Sequence, residues 1–144
     1  MVIKLNQMFT RLTDHQDGGK LLLRVMVAGL MLFHGIAKAQ NGVGWIGDSL
    51  VNMGFPYFIA YGAYVGEIIA PVMIILGVLT RPAALVVAIN MVVAVLMVGA
   101  TGKFFTLTKV GAWGLETEAF FIIGAVIVML LGSGKYSIVS ADYR

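Results

Sequence analysis

Four stretches of this chain are apolar for long enough to cross a hydrocarbon layer, and no other feature narrows its folding as much. A spanning helix needs about 20 mostly apolar residues, and runs of that order cover about 21–39, 58–79, 82–102 and 115–132. Lipid offers no partner to an unpaired backbone group, so each run is expected to be a helix; none alternates as a barrel strand would. Of the 144 residues, 60% are hydrophobic and 12% charged, against roughly 45–50% and about 25% in soluble domains. Too few polar side chains are left to cover a water-facing surface, and disorder is excluded for the same reason. With no Cys, disulfides, thiol catalysis, Cys-ligated zinc and iron–sulfur clusters fall away together. The expected fold is an all-α membrane protein, an antiparallel bundle of four transmembrane helices.

The basic residues sit at the edges of the apolar runs, so the net charge of +3 reads as membrane ends rather than a nucleic-acid surface. With the N-terminus inside, Lys4, Arg11, Lys20, Arg24, Arg81, Lys135 and Arg144 collect on the cytoplasmic side, and only Lys38, Lys103 and Lys109 lie opposite. This asymmetry predicts both termini in the cytoplasm, with 39–57 and 103–114 outside. Thr80-Arg81-Pro82 predicts a tight hairpin with Pro82 at the first helical position, where a missing N–H costs nothing. Residues 1–20 are expected to form a cytoplasmic arm and 139–144 a tail around a membrane domain over 21–138. The arm is polar where a signal peptide is apolar, so no cleavage is expected and the first span acts as an anchor. Ile3, Leu5, Met8, Phe9 and Leu12 recur at helical spacing, which fits a short amphipathic helix on the membrane and equally a disordered tail. Glycines within the spans, Gly35 and Gly66 among them, read as close helix packing.

Ionisable groups inside hydrocarbon cost about 2.5–3.5 kcal/mol on insertion scales, so each calls for an explanation. Glu67 lies about 13 Å into the bilayer at helical rise, too deep for so short a side chain to snorkel. It must be protonated, paired with a cation or wetted. His34 and Lys38 stand at i and i+4 on the first span and share a face. Lys38 taken alone reads as an end residue snorkelling outward, whereas His34 points to a polar partner, and Glu67 is expected to supply it or to meet a bound polar ligand. Glu116 and Glu118 open the last span, where the helix dipole accounts for both; about 200° apart, only one can face the bundle. Asn90 reads as hydrogen-bonding glue between helices, and Arg24 and Arg81 as side chains snorkelling to lipid phosphates. Trp45, Trp113, Tyr57, Tyr61 and Tyr64 cluster outward as an aromatic belt, and such rings can wall a flat amphipathic ligand. The polar groups fall in the outer half, predicting an outward-facing pocket built by His34, Lys38, Tyr64, Glu67 and Glu116, with His34 and Glu67 as the candidates for chemistry. No metal site is assigned, since His34, Glu67 and Glu116 lack a diagnostic spacing, and haem lacks a second axial ligand.

His34-Gly35-Ile36-Ala37-Lys38 resembles the HGxxK signature of the DoxX family. Met53-Gly54-Phe55-Pro56, Glu67, Gly77-Val78-Leu79-Thr80-Arg81, Gly114-Leu115-Glu116 and Gly132-Ser133-Gly134-Lys135-Tyr136-Ser137-Ile138 follow in the family's order, from about 21 to 138. Two departures stand out: Ala100 or Thr101 occupies the place where many relatives carry a His, and Gly132-Ser133-Gly134 replaces GPG. The resemblance implies a multi-pass protein of the bacterial inner membrane. It also implies a link to thiosulfate:quinone oxidoreductase or to membrane complexes of oxidative-stress defence. Without Cys, flavin or dinucleotide fingerprints or a haem ligand pair, the chain is not expected to be an enzyme on its own. The expectation is an accessory or scaffold component of a redox or oxidative-stress membrane complex. One alternative is a quinone-binding oxidoreductase subunit in which His34 and Glu67 exchange protons with the headgroup. A small-metabolite or proton carrier is a second alternative, disfavoured by the one-sided polarity. The expected partners are the lipid bilayer and a soluble or membrane redox protein, with a homo-oligomer left open and no nucleic acid. No intrinsic cofactor is expected, and quinone is the candidate ligand.

Overall fold

The computed structural model describes residues 1–99 and 102–144, so the expected His position at Ala100 or Thr101 lies outside the described residues. Among these the chain is helical, with one isolated antiparallel bridge, Leu107 with Trp113, and no strand. Helix α1 covers Val2–Thr13, and α2 runs Gln16–Asn41, starting five residues before the expected span. A short α3, Gly44–Asn52, follows in a segment where no element is expected from the residue pattern. The run Tyr57–Leu76, here α4, opens in 3-10 geometry, passes through a π turn at Val65–Ile69 and closes as α-helix. Then come α5, Thr80–Gly99, and α6, Glu116–Leu131. Helices α2, α4 and α5 are long and apolar enough to cross a membrane. Helix α6 has 16 residues, about 24 Å at helical rise.

Helix α2 packs on α4 and α6, and α5 packs on the same two. Their shared core is built from small and medium side chains, with Ala83, Ala84 and Val87 of α5 against Met31, Ile74 and Ala125. Large apolar side chains point the other way: Leu22, Phe33, Leu96, Phe120 and Leu130 are all exposed. Small residues inside and bulky ones outside is the arrangement that lipid permits and water penalises. The protein is a membrane protein.

The hairpin between α4 and α5 departs from expectation in one detail. Gly77 ends α4 in the left-handed region (φ +80°) and Leu79 follows at φ +42°, so α5 starts at Thr80 and Pro82 becomes its third residue. Its missing N–H is still among the four that have no partner inside the helix.

Both arginines expected to snorkel do something else. Arg24 is 2% exposed; it donates to the Ser133 carbonyl (2.9 Å) and to that of Tyr136. Arg81 donates to the Met129 and Leu130 carbonyls, each at 3.1 Å. Both serve the end of α6 and the segment after it, where helical carbonyls run out of partners and cations are favoured. Hydrogen bonds from Lys135 N to Asp17, Ile138 N to the Leu76 carbonyl and Leu79 N to that of Tyr143 bind the C-terminal segment to the same end.

Candidate polar site beside an apolar cavity

Pro71 shapes the backbone around Glu67. Lying four residues on, it has no N–H to give the Glu67 carbonyl, and its ring crowds that oxygen. The chain answers with the π turn Val65–Ile69, which contains Glu67; such single turns recur where a helix positions functional groups. Two glycines then bring neighbouring helices close. A Cβ on Gly35 of α2 would collide with the Glu67 carbonyl, and one on Gly66 would meet the Asn90 side chain of α5 at 2.5 Å. Glu67 is held where three helices approach.

Its carboxylate is 3% exposed and has two partners. Lys38 Nζ donates to Oε2 in an ion pair, and Asn90 Nδ2 donates to Oε1 at 3.0 Å. Tyr64 Oη donates to the Lys38 carbonyl at 3.2 Å, fixing the end of α2 that carries the lysine. Lys38 therefore turns inward rather than snorkelling outward, and Asn90 supplies the helix-to-helix hydrogen bond read from sequence. The buried acid is satisfied by a cation and a neutral donor together, as low dielectric demands.

The expected partner, His34, stands elsewhere. Its ring is exposed and packs edge-on against Phe121 of α6, with centroids 5.5 Å apart. At 100° per residue, Gly35 marks the face of α2 that meets α4; Lys38 lies about 60° from it and His34 about 100°, on the side of α6. Glu116 is exposed at the start of α6, where the dipole accounts for it, and Glu118 is the more covered of the two.

Beside the triad opens a cavity of about 390 Å³. Lys38, Glu67 and Asn90 form its polar end, Ala63, Val86, Ile89 and Val93 its flanks, and Trp45, Ile46 and Leu50 of α3 its cover. Val86, Ile89 and Val93 are exposed on the outer surface, so the cavity opens sideways. Among the described residues no group of three His, Asp or Glu side chains is placed to hold a metal. The arrangement suits an amphipathic molecule with a hydrogen-bonding head and an apolar body.

No curated protein and no solved structure matches the sequence. The DoxX family model matches residues 19–100, a stretch that holds Lys38, Tyr64, Glu67 and Asn90. It covers more than half of the chain, and the protein belongs to the DoxX family.

Proposed function

We propose that the protein is an accessory subunit of a redox complex in the bacterial inner membrane, holding a quinone-type headgroup beside Glu67. The observation that carries this reading is a Lys–Glu–Asn triad lining an apolar cavity open on its lateral face. A quinone carbonyl accepts a hydrogen bond from Lys38 or Asn90, and a quinol hydroxyl donates one to Glu67. The ion pair leaves the site without net charge, which suits a neutral headgroup better than a free anion. Electron transfer belongs to a partner protein. His34, with its ring on Phe121, is left out of this chemistry.

Purification in mild detergent followed by lipid extraction tests the proposal. The wild type is expected to retain quinone stoichiometrically. Glu67→Gln loses one charge-assisted hydrogen bond, about 1.5–3 kcal/mol, so its affinity should fall roughly ten- to a hundredfold. A folded Glu67→Gln protein with undiminished quinone, or a wild type with none, counts against it.

The reading includes four spans, α6 being the fourth, with both termini in the cytoplasm. The end carrying Lys4, Arg11, Lys20, Arg24, Arg81, Lys135 and Arg144 has only Asp14, Asp17 and Asp142 against it, which favours the cytoplasmic side. The chain lacks Cys, so single-Cys variants report cleanly. An impermeant thiol reagent should label Asn41→Cys and Thr108→Cys in intact cells and spare Asp14→Cys and Ser140→Cys. The reverse pattern inverts the orientation.

A further inference from the structure

Helix α1 is an amphipathic helix whose apolar side is left uncovered among the described residues. None of its residues is buried. Val2, Leu5, Met8, Phe9 and Leu12 are between 55% and 76% exposed. At 100° per residue these five occupy an arc of about 120°; Ile3, grouped with the apolar residues by its spacing, falls about 100° outside it, beyond Val2. Lys4 and Arg11 stand together about 40–60° beyond the Met8 edge of that arc, where a basic side chain can reach phosphates while the apolar face sinks between acyl chains.

The break before α2 spans only Asp14 and His15, and it occurs where the chain is about to enter the first candidate span. Helix α1 is thus tethered directly at the start of that candidate span. The Lys20 side chain lies beside Gly134 and the Lys135 backbone N–H donates to Asp17, so two further basic residues stand at this end. A second copy of the chain is a poor cover for the face. The sequence of α1 contains no Asp or Glu, and pairing two such helices would set Lys4 and Arg11 against their own kind.

We propose that α1 lies in the plane of an anionic leaflet, its apolar arc buried among the lipids and Lys4 and Arg11 on their phosphates. Each basic residue near an acidic membrane surface is worth about a factor of five, so the two together shift the docked-to-free ratio roughly thirtyfold. This assignment is independent of the ligand in the cavity.

Full-length protein in nanodiscs tests it, with a nitroxide on Phe9→Cys, in the apolar arc, or on Gln7→Cys, opposite it. In phosphatidylcholine with phosphatidylglycerol, the label at position 9 should be open to oxygen and shielded from a water-soluble nickel complex, and the label at position 7 the reverse. Adding Lys4→Gln and Arg11→Gln should reduce the docked fraction about thirtyfold in ratio, as should phosphatidylcholine alone. Equal exposure of both labels to nickel in the anionic discs would overturn the proposal. So would shielding at position 9 that ignores lipid charge, or shielding accompanied by spin–spin broadening from a second copy.

Discussion

Lys38→Met is expected to cost the folded protein about 3–5 kcal/mol, the penalty for stranding one member of a buried ion pair. The pair warrants that figure because Glu67 is 3% exposed and the Lys38 side chain 19%, so little water is at hand to replace the ammonium. Methionine keeps the length and most of the packing of the lysine stem, and the loss is therefore electrostatic. Lys38→Met combined with Glu67→Gln should recover most of it. The glutamine oxygen still accepts from Asn90, which now donates to Oε1 at 3.0 Å, and no charge is left uncompensated. Reversible unfolding in detergent or nanodiscs measures each variant. A double variant less stable than Lys38→Met alone would mean that the ion pair is not what holds these helices together. His34→Gln should add to Lys38→Met within about 0.3–0.5 kcal/mol, since its ring contact is on Phe121. A large coupling between them would put His34 back into the network.

That contrast marks how far the amino-acid pattern could be read. Runs of apolar residues identify α2, α4 and α5 because hydrocarbon tolerates little else, and the depth of Glu67 singles it out for the same reason. Lys38 and Tyr64 were legible as polar groups of the outer half, whereas Asn90 reads as glue further inward and not as a partner of Glu67, to which it donates. What periodicity alone leaves open is the rotation of α2 about its axis. His34 and Lys38 differ by only 40°, and both look plausible as partners until Gly35 is recognised as the contact point. Its missing side chain, beside the Glu67 carbonyl, is the signal that would have favoured the lysine. Pro71, four residues after Glu67, likewise announces the π turn. Helix α3 went unseen because its short apolar side, Ile46 and Leu50, gains its helical meaning only from the cavity it covers. Arg24 was beyond reach for another reason. Its partners are main-chain oxygens 109 and 112 positions away, and carbonyls carry no sequence.

Arg24→Met is expected to release the segment after α6 while leaving the helices assembled. Hydrogen bonds from a charged donor contribute about 1.5–3 kcal/mol each, and Arg24 makes two, to the carbonyls of Ser133 and Tyr136. Its Nε is buried without a partner, a cost that methionine removes. The net loss should therefore lie near the lower bound of the sum, about 3 kcal/mol. That loss is expected to fall on local opening of residues 132–138 rather than on the core, because α2 contributes to the apolar core through Val27, Ala28 and Met31 and not through Arg24. Trypsin reads the opening directly, since Lys135 lies in this segment and its N–H is tied to Asp17. When cleavage follows the population of the open form, 3 kcal/mol corresponds to a rate about a hundredfold faster at that bond. Arg81→Met is the control, because its contacts to the Met129 and Leu130 carbonyls are exposed and water can replace them. Arg24→Met protein that melts at lower temperature with unchanged cleavage after Lys135 would show that the arginine supports the helical core instead. Equal acceleration in both variants would assign the effect to general loosening of the end of α6.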